Sequence, residues 1–123
     1  MKNHSPISWN ELITPDIEGA KTFYSELFGW ELRDEDMGER TYTIAKSNNI
    51  EVAGLMQTPA EAQGMPAQWG AYVAVENVDA SAARAEQLGA TVVMAPRDIP
   101  GVGRICVIAD PQGATISMIS YFE

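Results

Sequence analysis

The chain writes one pattern twice. ISWNELIT runs into TPDIEGAKTFYSELFG and then into three short strand-like stretches, WELRDE, RTYTIAK and IEVAGLMQ. Further on, WGAYVAV runs into NVDASAARAEQLG and then into ATVVMA, GRICVIAD and GATISMIS. The match extends to single residues. Asp16-Ile17 answers Asn77-Val78, Gly29 answers Gly89, and Gly54-Leu55-Met56 answers Ser117-Met118-Ile119, with an offset of 60 to 63 residues throughout. Each half therefore reads β-α-β-β-β. One helix covers only one face of such a sheet, so the fold class is α+β, with each half needing a partner for its other face.

Local chemistry supports the same division. In the first helix Thr14 is the expected N-cap, Pro15 suits the first turn, and Gly29 suits the C-terminal stop. Ile17, Ala20, Phe23, Tyr24, Leu27 and Phe28 supply its apolar stripe. In the second helix Asp79 is the expected N-cap and Gly89 the stop. Ser47-Asn48-Asn49 and Asp110-Pro111-Gln112-Gly113 read as turns between strands. We expect one domain of two modules, about 7–57 and about 69–121, joined by the Pro- and Gly-punctuated loop TPAEAQGMPAQ at about 58–68.

Composition narrows the function classes. No apolar run reaches the roughly 18 residues of a membrane span, and MKNHSPIS has no apolar signal-peptide core. The single cysteine, Cys106, allows no internal disulfide, and Asn3-His4-Ser5 is a sequon without a secretion signal. The expected location is cytoplasmic. Seventeen acids against eight bases leave a net charge of −9, which repels nucleic acid and anionic lipid. Neither nucleic acid nor a membrane is an expected partner. Gly101-Val102-Gly103 lacks the following helix of a dinucleotide site, and no Ser-His-Asp or zinc-type Cys/His spacing occurs.

The stretches DIEGAKTFYSELFGWEL, NVDASAARAEQLGA and GRICVIADPQGATISMIS resemble the vicinal oxygen chelate superfamily, the glyoxalase / bleomycin resistance / extradiol dioxygenase fold. The resemblance covers about residues 7 to 121. It implies two βαβββ modules forming a curved mixed-sheet cup with helices on the outside. It also implies metal ligands, in members that use a metal, on the first, fourth, fifth and eighth strands. Those positions fall here on Trp9, Gly54, Gly70 and Ser117. None is a credible ligand for a divalent metal, which wants imidazole, carboxylate or thiolate. The only histidine is His4, near the terminus, and Glu11 with Glu51 would still make a poor site. We expect no metal and no cofactor.

Strand alternation then predicts what lines the cup: Trp9 and Glu11 on strand one, and Val52, Gly54 and Met56 on strand four. Strand five adds Gly70, Tyr72 and Ala74, and strand eight adds Thr115, Ser117 and Ile119. Leu12, Val73, Val75, Ile116 and Met118 would face the helices. The paired glycines Gly54 and Gly70 would leave room for a ligand. The candidate ligand-binding residues are thus Trp9, Glu11, Gly54, Met56, Gly70, Tyr72 and Ser117. Each has a plainer role: Trp9, Met56 and Tyr72 as packing, and Glu11 as a partner of Arg104 or Arg40. Trp30 and Trp69 read as packing or interface residues, and Cys106 as a buried inert thiol.

These readings converge on a metal-independent small-molecule-binding protein that sequesters a hydrophobic or cationic ligand. The first alternative is a metal-free lyase or isomerase with Glu11 as general base and Tyr72 as polar partner. A divalent-metal lyase of the glyoxalase type and a purely regulatory module follow. The resemblance also implies a homodimer, formed by module exchange about the 58–68 loop or by sheets set edge to edge.

Overall fold

The first helix starts where a side chain satisfies its free amides. In the computed structural model, which describes residues 5–36, 41–60, 63–99 and 101–122, α1 spans Ile17–Phe28. Its N-cap is Asp16 rather than Thr14, because the Asp16 carboxylate accepts from the Gly19 amide at 3.0 Å. Thr14 instead accepts the Asp16 amide through Oγ1 at 3.2 Å, one step outside the helix. Gly29 closes α1 in the left-handed region at φ 72°. The second helix, α2, spans Val78–Gln87, and its cap is Asn77 rather than Asp79. Asn77 Oδ1 accepts from the Ala80 amide at 3.0 Å, while the Asp79 carboxylate is taken by Arg104. Asp16 and Asn77 are repeat-related, so the repeat placed both caps better than local propensity did.

Among the described residues eight strands accompany these helices: β1 Ile7–Thr14, β2 Glu31–Asp36, β3 Thr41–Ser47, β4 Ile50–Gln57, β5 Gln68–Ala74, β6 Thr91–Ile99, β7 Gly103–Ala109 and β8 Thr115–Tyr121. The fold class is α+β with two βαβββ modules, as the repeat requires. Two compact units result. One holds Trp9–Gly70, and the other joins the residues up to Ser8 to those from Ala71 onward. No helix among the described residues is long and apolar enough to cross a membrane.

In the first unit the strands run in the order β2-β3-β4-β1, with β1 parallel to β4 and the other pairs antiparallel. Asn48 and Asn49, at φ 52° and 67°, make the tight β3–β4 turn that a two-residue hairpin loop demands. Leu12, Ala45, Ala53 and Leu55 form the core beneath α1, with Ile17, Ala20, Tyr24, Trp30 and Leu32 packed against it. Alternation fails at one place. Ser47 pairs with Ile50 and Lys46 with Glu51, but Ala45 pairs with Ala53, so a bulge leaves Val52 unpaired. Val52 therefore packs with the core under α1, not on the opposite face as alternation predicted.

In the second unit the order is β5-β8-β7-β6, with β5 parallel to β8. Val78, Ala82, Cys106 and Met118 form its core, with Val75, Val92 and Ile108 against it. The β7–β8 turn is held by Asp110, whose Oδ1 accepts from the amides of Gln112 and Ala114 at 2.9 and 3.0 Å.

Candidate functional site

The sheet of the first unit has a face turned away from α1, and register fixes which side chains stand on it. Glu11 pairs with Gly54, Gly54 with Ile44, and Met56 with Tyr42. Directly paired residues share a face, so Glu11, Tyr42, Ile44, Gly54 and Met56 stand together, with Trp9 two residues before Glu11. Glu11 is 8% exposed and Met56 equally buried. A carboxylate with so little water around it needs polar partners or a ligand, because burial disfavours the charged form. Trp9 Nε1 donates to Tyr42 Oη at 2.8 Å, which fixes both rings.

Tyr42 also explains Gly54. A Cβ at position 54 would collide with the Tyr42 hydroxyl and ring carbons. The space that alternation assigned to a ligand is therefore filled by the Tyr42 phenol, which lies over the residue paired with Glu11. Gly70 differs, since nothing stands within 4 Å of where its Cβ would be. The sequence reading missed Tyr42. The missing signal is the bulge at Val52: counting back from the Asn48-Asn49 turn without it places Thr43, not Ile44, opposite Gly54 and turns Tyr42 to the wrong face.

The partners foreseen for Glu11 lie elsewhere. Arg104 Nε and Nη2 donate to both carboxylate oxygens of Asp79 at 2.7 and 3.1 Å, and Nη1 donates to Asp98 at 3.0 Å. The two carboxylates hold the Arg104 guanidinium well above its ordinary pKa, and Arg104 in turn lowers that of Asp79. Arg40 lies outside the described residues, as do His4, Met1 to Asn3 and positions 61 and 62 of the connecting loop. Glu51, the other acid weighed for the face, accepts from Arg33 Nη2 at 3.0 Å, while Arg33 Nε donates to Glu35 at 2.8 Å.

In the second unit Tyr72 pairs with Ser117 and Ala74 with Ile119. Both belong to the face opposite the α2 core, whereas Met118 is in that core as expected. Cys106 is fully buried, and desolvation raises its thiol pKa, so it has neither the exposure nor the thiolate character of a nucleophile. Two open cavities, about 730 Å³ beside α2 and about 530 Å³ beside α1, are lined by other residues than Trp9, Glu11 and Tyr42. The second is walled by Tyr24, Phe28, Trp30 and Trp69, where Trp69 Nε1 donates to Tyr24 Oη at 3.1 Å.

The metal question turns on donor chemistry. Trp9, Gly54, Gly70 and Ser117 offer one hydroxyl between them, and no group of three His, Cys, Asp or Glu side chains among the described residues could hold a metal ion. These residues do not fit a divalent metal centre.

An α+β chain of two βαβββ modules with this last-strand turn defines a class, and comparison with known proteins gives it a name. The chain matches the Glyoxalase/Bleomycin resistance protein/Dioxygenase superfamily over residues 7–118 and belongs to it. It is 38% identical over 112 residues to CFP32 of Mycobacterium bovis, which carries a provisional glyoxylase name; the match covers 90% of this chain and 42% of CFP32. It is 36% identical over 124 residues to the anthracycline biosynthesis protein DnrV of Streptomyces peucetius, covering 90% of this chain and 45% of DnrV. The chain thus spans less than half the length of these relatives. Among solved structures it is similar to methylmalonyl-CoA epimerase from Mycobacterium tuberculosis, at TM-score 0.64 and 19% identity over 94% of this chain and 87% of the other. It is also similar to a Mn(II)-bound glyoxalase from Novosphingobium aromaticivorans, at TM-score 0.60 and 20% identity over 95% and 40%. Those two likenesses concern the fold.

Proposed function

We propose that this chain binds a small organic molecule without a metal, on the sheet face that carries Trp9, Glu11, Tyr42 and Met56. The observation that carries the reading is the sheet face itself, on which the largely buried Glu11 shares register with Tyr42, Gly54 and Met56 and stands two residues from Trp9. A buried carboxylate is an anchor for a cationic or hydrogen-bond-donating group, and the Trp9 and Tyr42 rings offer flat apolar contact beside it. The non-fitting donor set supports metal independence. A relative named for anthracycline biosynthesis is compatible with a ligand that has planar aromatic parts. Gly70, Tyr72 and Ser117 remain candidate contacts, and a reducing cytoplasm suits the buried thiol of Cys106.

A fluorescence and thermal-shift screen with cationic and neutral planar compounds tests the reading. Hits should lose about tenfold or more in affinity on Glu11→Gln, the scale of one charge-assisted hydrogen bond. Hits that bind Glu11→Gln and Trp9→Phe as tightly as the parent would sink it. Stoichiometric nickel, zinc, iron or manganese in protein purified without chelators would sink the metal-independent part.

The same face favours a second reading, in which Glu11 is a general base in metal-free lyase or isomerase chemistry. A carboxylate on this face is positioned to accept a proton from a molecule held against Trp9 and Tyr42. Turnover of a bound hit that vanishes in Glu11→Gln while its affinity persists would select this reading over sequestration.

A further inference from the structure

Trp9, Glu11, Tyr42 and Gly54 are arranged around a phenol. Tyr42 Oη and its nearest ring carbons lie where a Cβ of Gly54 would project. Glu11 pairs with Gly54 and stands on the same face, one strand spacing of about 4.8 Å away. The Tyr42 hydroxyl accepts from Trp9 Nε1 at 2.8 Å, which leaves its own proton for an acceptor. An ionised carboxylate only accepts, so Glu11 matches that proton in chemistry and in place. The fold does not require a phenol here. At the repeat-related place of the second unit Ile105 pairs with Ile119 as Tyr42 pairs with Met56, and Ser117 stands where the first unit has Gly54. Isoleucine fills its share of that face with no hydrogen bond at all. In the first unit a glycine weakens β4 and a phenol uses the gap, so this sequence maintains a slot for one aromatic hydroxyl.

We infer, resting on the proposed reading of this face as a binding site, that its ligand is a planar molecule with an aromatic hydroxyl, which takes the slot that the Tyr42 ring fills in this structure. The ligand's hydroxyl accepts from Trp9 Nε1 and donates to Glu11, and its ring lies over the Gly54 backbone. A ring without the hydroxyl would displace Tyr42 and give neither the indole N–H nor the largely buried carboxylate a partner in return, which is costly for both. Tyr42 is able to give way. It is only half-buried, it is the second residue of β3, and a change of rotamer turns its ring aside. Its pairing with Met56 keeps the Tyr42 Cα in register, so the displaced ring still borders the slot.

The test uses the full chain, with para-cresol as the probe and para-methylanisole and toluene as controls. The anisole accepts a hydrogen bond but donates none, and toluene does neither. Binding is read from the tryptophan indole N–H signals in proton–nitrogen NMR, with the Trp9 signal assigned through Trp9→Phe. Tyr42→Ala empties the slot and should bind para-cresol about tenfold or more tightly than either control, and about tenfold more tightly than the parent does. The parent should bind it too, with a shift of the Trp9 signal, because the Tyr42 ring gives way. Tyr42→Val repeats the series should Tyr42→Ala fold poorly. Equal affinity for the three compounds in the variant, or binding of none of them, overturns the assignment of an aromatic hydroxyl. Glu11-dependent hits from the screen on the parent would then still uphold the proposed function. Binding confined to the variant also overturns the assignment, since the slot would be an engineered void. Silence of both parent and variant toward every probe and every screened compound removes the assignment and the proposed function together.

Discussion

Helices α1 and α2 begin at repeat-related residues but finish their sheets differently. The second presents small side chains and buries Val78 and Ala82, while Arg104 on β7 reaches Asp79 in its first turn. The first presents Phe23, Tyr24, Leu27 and Phe28, and none of them is fully buried. Small residues let a helix close its own core. Large ones fill the space early and stand out beyond it, so the helix stays apolar on its outer side. The opposite faces differ as well. The first unit buries an acid, Glu11, beside a Trp9–Tyr42 pair, whereas the second sets Tyr72 beside Ser117 and buries Ile119. The two modules share a skeleton, and their surfaces differ.

The core comparison should give the largest effects. Leu55 is 0% exposed in the first unit, and Leu55→Ala should cost about 2–5 kcal/mol in chemical denaturation, as buried leucine truncations do. Val78→Ala, at 1% exposure in the second unit, removes less volume and should cost about 1–3 kcal/mol. Comparable losses would mean that α1 relies on its exposed rings less than its geometry indicates.

The Gly54 contact comes next. Gly54→Ala forces the Tyr42 ring to move and should cost about 1–3 kcal/mol, the range for overpacking. In the Tyr42→Ala background the same change should cost far less, and a double-mutant cycle on melting curves would expose the coupling. Strict additivity would mean that Tyr42 does not occupy that space. Tyr42→Phe deletes the acceptor of the Trp9 indole and should cost about 1 kcal/mol.

The smallest effect is electrostatic. Arg104 holds Asp79 below the ordinary carboxylate value of 3.8, and the Thr43 hydroxyl, then Lys21, do the same for Asp34. Both acids titrate lower in the folded chain than in the unfolded one. Their contribution is therefore present above about pH 4 and is lost as pH falls through the lowered values. Asp34→Asn should flatten the acid limb of a melting-temperature profile in the first unit, and Arg104→Gln in the second. Both carboxylates are more than half exposed, Asp34 at 53% and Asp79 at 58%, so both shifts should be small. An acid limb unchanged in either variant would show that the pairs carry no weight in solution.

Much of this architecture is legible in the sequence. The 60-residue repeat, the helix-stop glycines and the turn residues Asn48-Asn49 and Asp110 are local matters, set by backbone sterics and short-range hydrogen bonds. They fixed eight strands, two helices and their order. Alternation likewise put Leu12 and Met118 on the helix side and Glu11 on the other. Three things needed the folded chain. Two caps went to Asp16 and Asn77, because Thr14 and Asp79 found other partners. The bulge at Val52 shifted the β3–β4 register by one residue, which turned Val52 to the core and brought Tyr42 over Gly54. Half of the α1 stripe stayed outside, because an apolar pattern states which residues avoid water but not how much sheet lies beneath them. Sequence periodicity is a property of one element, whereas register and coverage belong to pairs of elements. That is why only the tertiary structure decided them.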